Sequence, residues 1–507
     1  MKKTYYITTP IYYVNDKPHI GHAYTTLACD VLARFMRLDG YTVKFLTGTD
    51  EHGQKVEKAA ETAGVAPQDF VDSVSENFRT LCTTMNFSND DFIRTTEERH
   101  KKSAQALWQK LIERDEIYLG SYAGWYAVRD EAFYAESELV DGKAPTGAEV
   151  EWVEEPSYFF RLSKWEDKLL KFYEDNPDFI APTSRRNEVT SFVKGGLRDL
   201  SVSRTSFKWG IPVPDNPDHI MYVWIEALSN YITAAGFPDT NSADFKNFWP
   251  ADVHMVGKDI LRFHAVYWPA FLMAAEMDPP KRIFAHGWWT NEGQKISKSL
   301  GNVIDPNALV ETYGLDQTRY FLMREVPFGN DGDFSKDAMV QRINSNLAND
   351  LGNLVQRSLS MIAKNCDQKI PPQHEFHQDD LDLLYAAEGI MKTLRPLMQI
   401  QSIHKALEAI WQVVGDANRY VDTQAPWGLK KTDFARMETV LYTLAETIRY
   451  LGIYLQPFMP ESAAKILDAL AVAQDKRGFD QIGCDYRLES GTAIPNPTPI
   501  FPRYVEE

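Results

Sequence analysis

Cysteine is scarce: Cys29, Cys82, Cys366 and Cys484 stand singly among 507 residues. No Cys-x-x-Cys pair exists to hold a metal or run dithiol exchange, and the scatter suits a reducing compartment. Long apolar runs are missing too, none approaching the ~20 residues that cross a bilayer. Met1-Lys2-Lys3 runs straight into a strand pattern without a signal-type apolar segment. A cytoplasmic protein with no membrane partner is expected. Positive charge is short, with 54 Lys and Arg against 71 Asp and Glu and a net charge of −17. Phosphate contacts need clustered Lys and Arg, so this balance argues against a nucleic-acid partner unless a local basic face exists. Repeats and low-complexity runs are absent.

What is present is enough apolar residue, 44% of the chain, for about three domains each with its own core. Strand and helix patterns alternate over 1–115, as in the first half of a Rossmann-type doubly wound parallel sheet. Residues 116–200 are aromatic and acidic, with turn signals at Asp141-Gly142 and Pro145-Thr146-Gly147, and read as an inserted connective domain. The nucleotide fold resumes over 201–306 and a linking segment covers 307–336. Amphipathic helices then fill 337–507, closing in a tail with Pro495, Pro497, Pro499 and Pro502 that is either packed on the surface or partly disordered. The expected fold is therefore α/β followed by an α-helical bundle domain.

Two short segments carry the chemistry. His19-Ile20-Gly21-His22 falls between a strand pattern at Tyr5-Tyr6-Ile7-Thr8-Thr9-Pro10 and a helix pattern from Ala23 to Leu38. At such a turn the helix N–H groups, the imidazole donors and a glycine that lets backbone approach closely suit a triphosphate. Far downstream, Gly293 and Gly301 bracket Lys295-Ile296-Ser297-Lys298-Ser299, a cationic segment hinged to close over a ligand. Lysines arriving at a developing pyrophosphate stabilise the transition state more than the ground state. Alone, the first segment reads as two partly buried histidines and the second as a solvated turn. In this order they point to adenylate chemistry.

The two segments resemble the signatures of class I aminoacyl-tRNA synthetases, and their neighbours narrow the likeness to the methionyl-tRNA synthetase family. The most specific stretches are Thr9-Pro10-Ile11-Tyr12-Tyr13, Gly48-Thr49-Asp50-Glu51-His52-Gly53, Tyr222-Val223-Trp224-Ile225-Glu226-Ala227-Leu228, Gly257-Lys258-Asp259-Ile260 and Phe328-Gly329-Asn330-Asp331-Gly332-Asp333-Phe334-Ser335. The likeness spans nearly the whole chain. It implies ATP-dependent formation of methionyl-adenylate and transfer to the 3′ end of tRNA(Met), initiator tRNA included. Mg²⁺ would arrive with ATP and not in a protein cage. His19, His22, Lys295 and Lys298 would be catalytic, and Gly21, Gly257, Lys258, Asp259 and Ser297 would help hold ATP.

By the same resemblance Ile11, Tyr13, Trp224, Ala227, Leu228, Tyr231, Ile260, His264 and Trp268 line an apolar methionine pocket, fitting a thioether that is favoured by aromatic contact. Judged alone, such stripes at helical spacing are core packing. Asp50 ends an apolar strand and would hold the substrate ammonium, with a helix cap as its alternative role. Asn353, Arg357 and Trp427 match anticodon readers. Many relatives hold zinc in the inserted domain through paired cysteines, but here Ala127 stands where a ligand often begins and no cysteine occurs between Cys82 and Cys366. No metal is expected there, the domain resting on Trp125, Tyr126, Phe133 and Trp152. A synthetase for leucine or cysteine, or a catalytically silent tRNA-binding relative, are the other readings. A cysteine enzyme would need a substrate zinc, a leucine enzyme a larger insertion, and a silent relative has no need of the two signatures. A monomer is expected.

Overall fold

The structure, a computed structural model, describes residues 3–14, 17–127, 129, 132–134, 136–296 and 300–505. Its centre is a parallel sheet. The first strand, β1 (Thr4–Thr8), is followed by a short β2 (Tyr12–Tyr13), helix α1 (Ile20–Leu38), β3 (Thr42–Asp50) and β4 (Asp91–Arg94). The sheet runs from β3, which also carries β2 and β4, through β1 to Val253–Gly257, Ile283–His286 and Ile180–Ala181. Every pairing in it is parallel. Residues such as Ile7, Phe45, Leu46 and Val256 are fully buried, as strands covered on both faces require. Strand order reverses between β1 and Val253–Gly257, and ligands of such sheets bind in the crevice beyond the carboxyl ends at that point.

After β4 the chain builds an antiparallel unit outside this sheet. Ile117–Ala127 pairs with Glu151–Phe160 from Ile117↔Phe160 to Tyr126↔Glu151, flanked by Ala132–Tyr134 and Leu200–Ser201. Trp125 and Trp152 meet edge to face at 5.4 Å, Tyr126 is buried, and the Phe133 side chain lies outside the described residues. Ile180–Ala181 falls within the stretch assigned from sequence to the insert, yet it forms the last strand of the parallel sheet. Two residues are too short to show a period, so only pairing reveals them.

The C-terminal part is helical, with Asn353–Asn365, Ile403–Gln424 and Phe434–Leu455 as long members. The proline-rich tail is extended and docked: Ile494, Ile500 and Phe501 are buried, and Ile370 N–H donates to Thr492 O at 2.9 Å. Helix α1 is sandwiched between sheet and bundle, with Phe35 against Phe479 at 5.0 Å. Buried Arg319 staples the layers, donating to Asp30 on α1 at 2.6 Å and to Met85 O, Pro457 O and Phe458 O at 2.9 to 3.0 Å. No described helix is long and apolar enough to cross a membrane.

Candidate functional site

The chain leaving β1 enters α1 through His19, its N-cap. His19 Nδ1 accepts from the Gly21 N–H at 3.1 Å, and His22 Nδ1 accepts from the His19 N–H at 3.0 Å. With both Nδ1 atoms accepting, a neutral ring carries its proton on Nε2, which makes each a hydrogen-bond donor there. The rings lie 3.9 Å apart. Burial beside Tyr12 and Phe78, with His19 adjacent, pushes His22 well below its usual value, so it remains neutral at pH 7. A Cβ on Gly21 would stand 2.9 Å from His19 Cε1, so this glycine makes room for the capping imidazole itself.

These histidines line a cleft of about 1660 Å³ at the carboxyl ends of the sheet, walled also by Trp125, Tyr134 and Trp152 of the antiparallel unit. Lys295 also lines the cleft and is exposed, in a short strand pairing with Trp289–Asn291. Gly293 and Gly301 both have positive φ, 76° and 65°, turn conformations that glycine adopts without a steric penalty. Ser297 and Lys298 lie outside the described residues. Gly257 and Asp259 line the cleft, whereas Lys258 does not. Its amine sits 2.6 Å from Asp331 and 4.4 Å over the Trp288 ring, while Trp288 Nε1 donates to Asp259 at 3.0 Å. Lys258 thus holds the cleft wall in place from behind.

The apolar end of the cleft collects Ile11, Tyr13, Asp50, Trp224, Ala227, Leu228, Tyr231, Ile260 and His264. Asp50 is the last residue of β3, and the following helix is capped by Gly53, so Asp50 is not a helix cap. His264 Nδ1 donates to Ile260 O at 3.0 Å, leaving Nε2 to accept from the Tyr231 hydroxyl at 2.7 Å. Burial lowers the His264 pKa to about 4, so the ring stays neutral. Trp224 stacks on Phe263 at 3.7 Å. Trp268 is fully buried outside the cleft lining, donating from Nε1 to His254 at 3.3 Å. The helical spacing Ile260, His264, Trp268 fails because Phe263–Tyr267 forms a π-helical turn, whose wider pitch rotates later residues off the shared face.

Sequence reading missed several groups in this cleft: Arg204, Tyr222, His286 and Trp288. Arg204 is nearly buried, its guanidinium 3.9 Å over the Tyr222 ring. Thr25 donates to His286 Nε2 at 2.7 Å, and His286 Nδ1 donates to Gly287 O at 2.8 Å. Their one sequence signal is a position at or just past a strand end. Among the described residues no group of three or more His, Cys, Asp or Glu could hold a metal ion.

Far from the cleft, Asn353 is exposed at the start of its helix, and Arg357 on the same helix pairs with Asp422 at 2.9 Å. Asp422 lies in the last turn before Ala425 breaks into the left-handed region, and Trp427, 50% exposed, opens the next helix beside exposed Lys430 and Lys431. The three residues therefore gather at one end of the bundle.

Comparison with known proteins is unambiguous. The family described as "tRNA synthetases class I (M)" matches residues 5–151 and 144–359, and "Anticodon binding domain of methionyl tRNA ligase" matches 370–507. The methionine–tRNA ligase of Rickettsia felis is 61% identical over 99% of each chain, and that of Brucella suis biovar 1 is 58% identical over 100% of this chain and 99% of its own. A solved structure of Mycobacterium tuberculosis methionyl-tRNA synthetase in complex with methionyl-adenylate superposes with a TM-score of 0.96 at 55% identity, over 99% of this chain and 100% of that one. The chain belongs to the class I methionyl-tRNA synthetase family and is a methionine–tRNA ligase.

Proposed function

We propose that the carboxylate of methionine attacks the α-phosphorus of ATP in line within this cleft, releasing pyrophosphate and leaving methionyl-adenylate. The observation that carries the assignment of roles is the pair of cleft-lining imidazoles whose Nδ1 atoms accept from backbone N–H groups, so that a neutral ring keeps its proton on Nε2, in the cleft that Lys295 also lines. Imidazole donors and a lysine cation both favour charge that develops on the phosphates. Lys298 and Ser297 act with Lys295 on the phosphates, Gly257 and Asp259 border the nucleotide, and Lys258 fixes Trp288 beside it. Mg²⁺ enters with ATP.

Asp50 holds the ammonium of methionine, and the thioether lies among Tyr13, Trp224, Tyr231 and His264, with Trp268 supporting Tyr231 from behind at 6.1 Å. A hydroxyl of the terminal adenosine of tRNA then attacks the activated carbonyl and AMP leaves. No side chain need act as a nucleophile, since positioning and electrostatics supply the acceleration. Asn353, Arg357 and Trp427 read the anticodon of tRNA(Met), initiator tRNA included, and Lys430 and Lys431 supply a local basic face on an acidic protein. The protein acts as a cytoplasmic monomer. The division at 115, 200, 306 and 336 is retained with one change: Ile180–Ala181 belongs to the catalytic sheet.

Pyrophosphate exchange into ATP without tRNA tests this. Methionine should support exchange while leucine, isoleucine and cysteine do not; exchange with another amino acid would sink the pocket assignment. A second expected result separates the two ends of the molecule. Trp427→Ala should leave exchange unchanged yet weaken tRNA(Met) by ~1–3 kcal/mol, the worth of one base stacked on an aromatic ring. Aminoacylation kinetics would read this as a raised KM for tRNA.

A further inference from the structure

We propose that Glu226 and His52 are positioning residues for methionine, a buried strut that fixes Asp50 against the aromatic wall of the pocket. The inference rests on the assignment of Asp50 to the substrate ammonium. Helix Val223–Leu228 presents Trp224, Ala227 and Leu228 to the cleft. Glu226, lying between them, is absent from the lining and only 2% exposed. Its Oε1 stands 2.7 Å from His52 Nδ1 and 3.5 Å from Nε2 of the wholly buried His100. Burial alone would raise this carboxyl, but His52 and His100 outweigh it and hold the pKa down to about 2, so the group stays ionised.

The placement of the strut makes it more than packing. His52 is two residues past Asp50 and 174 residues from Glu226 in sequence, so the pair ties the two halves of the split catalytic domain together beside the substrate. Each residue between Asp50 and Gly53 is gripped by a different partner. Glu51 binds Arg94 Nε and the Thr49 hydroxyl, each at 2.7 Å, and its carbonyl accepts from Trp209 Nε1 at 2.6 Å. The Gly53 N–H donates to Trp209 O at 3.0 Å. His52 reaches across to the pocket helix. Binding geometry must hold to within about 0.5 Å for full effect, and displacements of about 1 Å cost up to ~10²-fold. A strut between the ammonium ligand and the thioether wall therefore governs methionine affinity in particular.

The test is methionine-dependent pyrophosphate exchange by the full-length protein, with active sites titrated so that only folded enzyme is counted. Glu226→Met removes the strut and is expected to raise the KM for methionine about 10-fold or more, with the KM for ATP within about twofold. Glu226→Gln keeps an acceptor for His52 Nδ1–H and should restore most of the affinity, which a role in charge burial alone would not predict. If Glu226→Met does not fold, His52→Ala carries the same comparison. A methionine KM unchanged in the folded variant, or a KM for ATP rising equally, would overturn the inference. Asp50→Asn separates this from the reading beneath it. A raised methionine KM in Asp50→Asn but not in Glu226→Met sinks the strut alone, whereas no change in Asp50→Asn sinks the ammonium assignment and the strut with it.

Discussion

Alanine at His22 is expected to slow methionine-dependent pyrophosphate exchange by ~10²–10³-fold, equivalent to ~2.7–4 kcal/mol, the range for removing one preorganised donor from developing negative charge. The loss should fall on kcat and on kcat/KM alike, because a donor aimed at charge that grows in the transition state adds little to ATP in its ground state. A raised KM for ATP with kcat intact would instead make His22 a ground-state ligand. Folding should suffer less. His22 Nδ1 satisfies the His19 N–H, and losing such a cap costs ~1 kcal/mol, so thermal denaturation separates the two effects. Burial and His19 hold the His22 pKa below 6.5, so between pH 6.5 and 8 this donor is fully in its neutral form. As pH drops through the lowered pKa the ring gains a proton on Nδ1, which then faces the His19 N–H it had accepted from, so the contact that orients the ring is lost and its contribution to rate should fall only there.

The histidine turn was legible in the sequence because it is local: a strand pattern, a glycine and a helix pattern within twenty residues place both imidazoles at a sheet edge. Asp50 was legible for the same reason, at the end of the apolar run that became β3. The failures share a different cause. Trp268 keeps helical spacing in the sequence, and only the π-helical turn at Phe263–Tyr267 takes it out of the cleft. Lys258 reads as a cation beside a nucleotide loop, yet its partner Asp331 lies 73 residues away, and long-range pairing leaves no local pattern. Arg204, His286 and Trp288 reach the cleft through strand pairing between distant segments, as Ile180–Ala181 reaches the sheet. Where chemistry depends on register between segments, neither periodicity nor the resemblance named these residues.

Arg319→Met is expected to destabilise the protein by ~3–5 kcal/mol, the cost of leaving a buried charge without its partner. The guanidinium is wholly buried and so is Asp30, whose Oδ2 it meets at 2.6 Å. Burial pushes the Asp30 carboxyl up, but Arg319, Arg34 and Ser88 outweigh it and hold the pKa below 3.8. A depressed carboxylate contributes its stability fully above the unfolded value and loses it as pH falls through the folded one. Without Arg319 the burial effect is less opposed, so the Asp30 pKa should rise and acid should weaken the variant at a higher pH than the wild type. Urea unfolding at neutral and mildly acidic pH would read both effects. The same side chain donates to Met85 O, Pro457 O and Phe458 O, linking the catalytic layer to the helical bundle. Its loss should also split a shared transition, the bundle and the sheet unfolding at separate denaturant concentrations. A single transition shifted by less than ~1 kcal/mol would mean that Arg34 and Ser88 suffice for Asp30, and that other contacts, such as Arg395 with Asp39 at 2.8 Å, couple the domains.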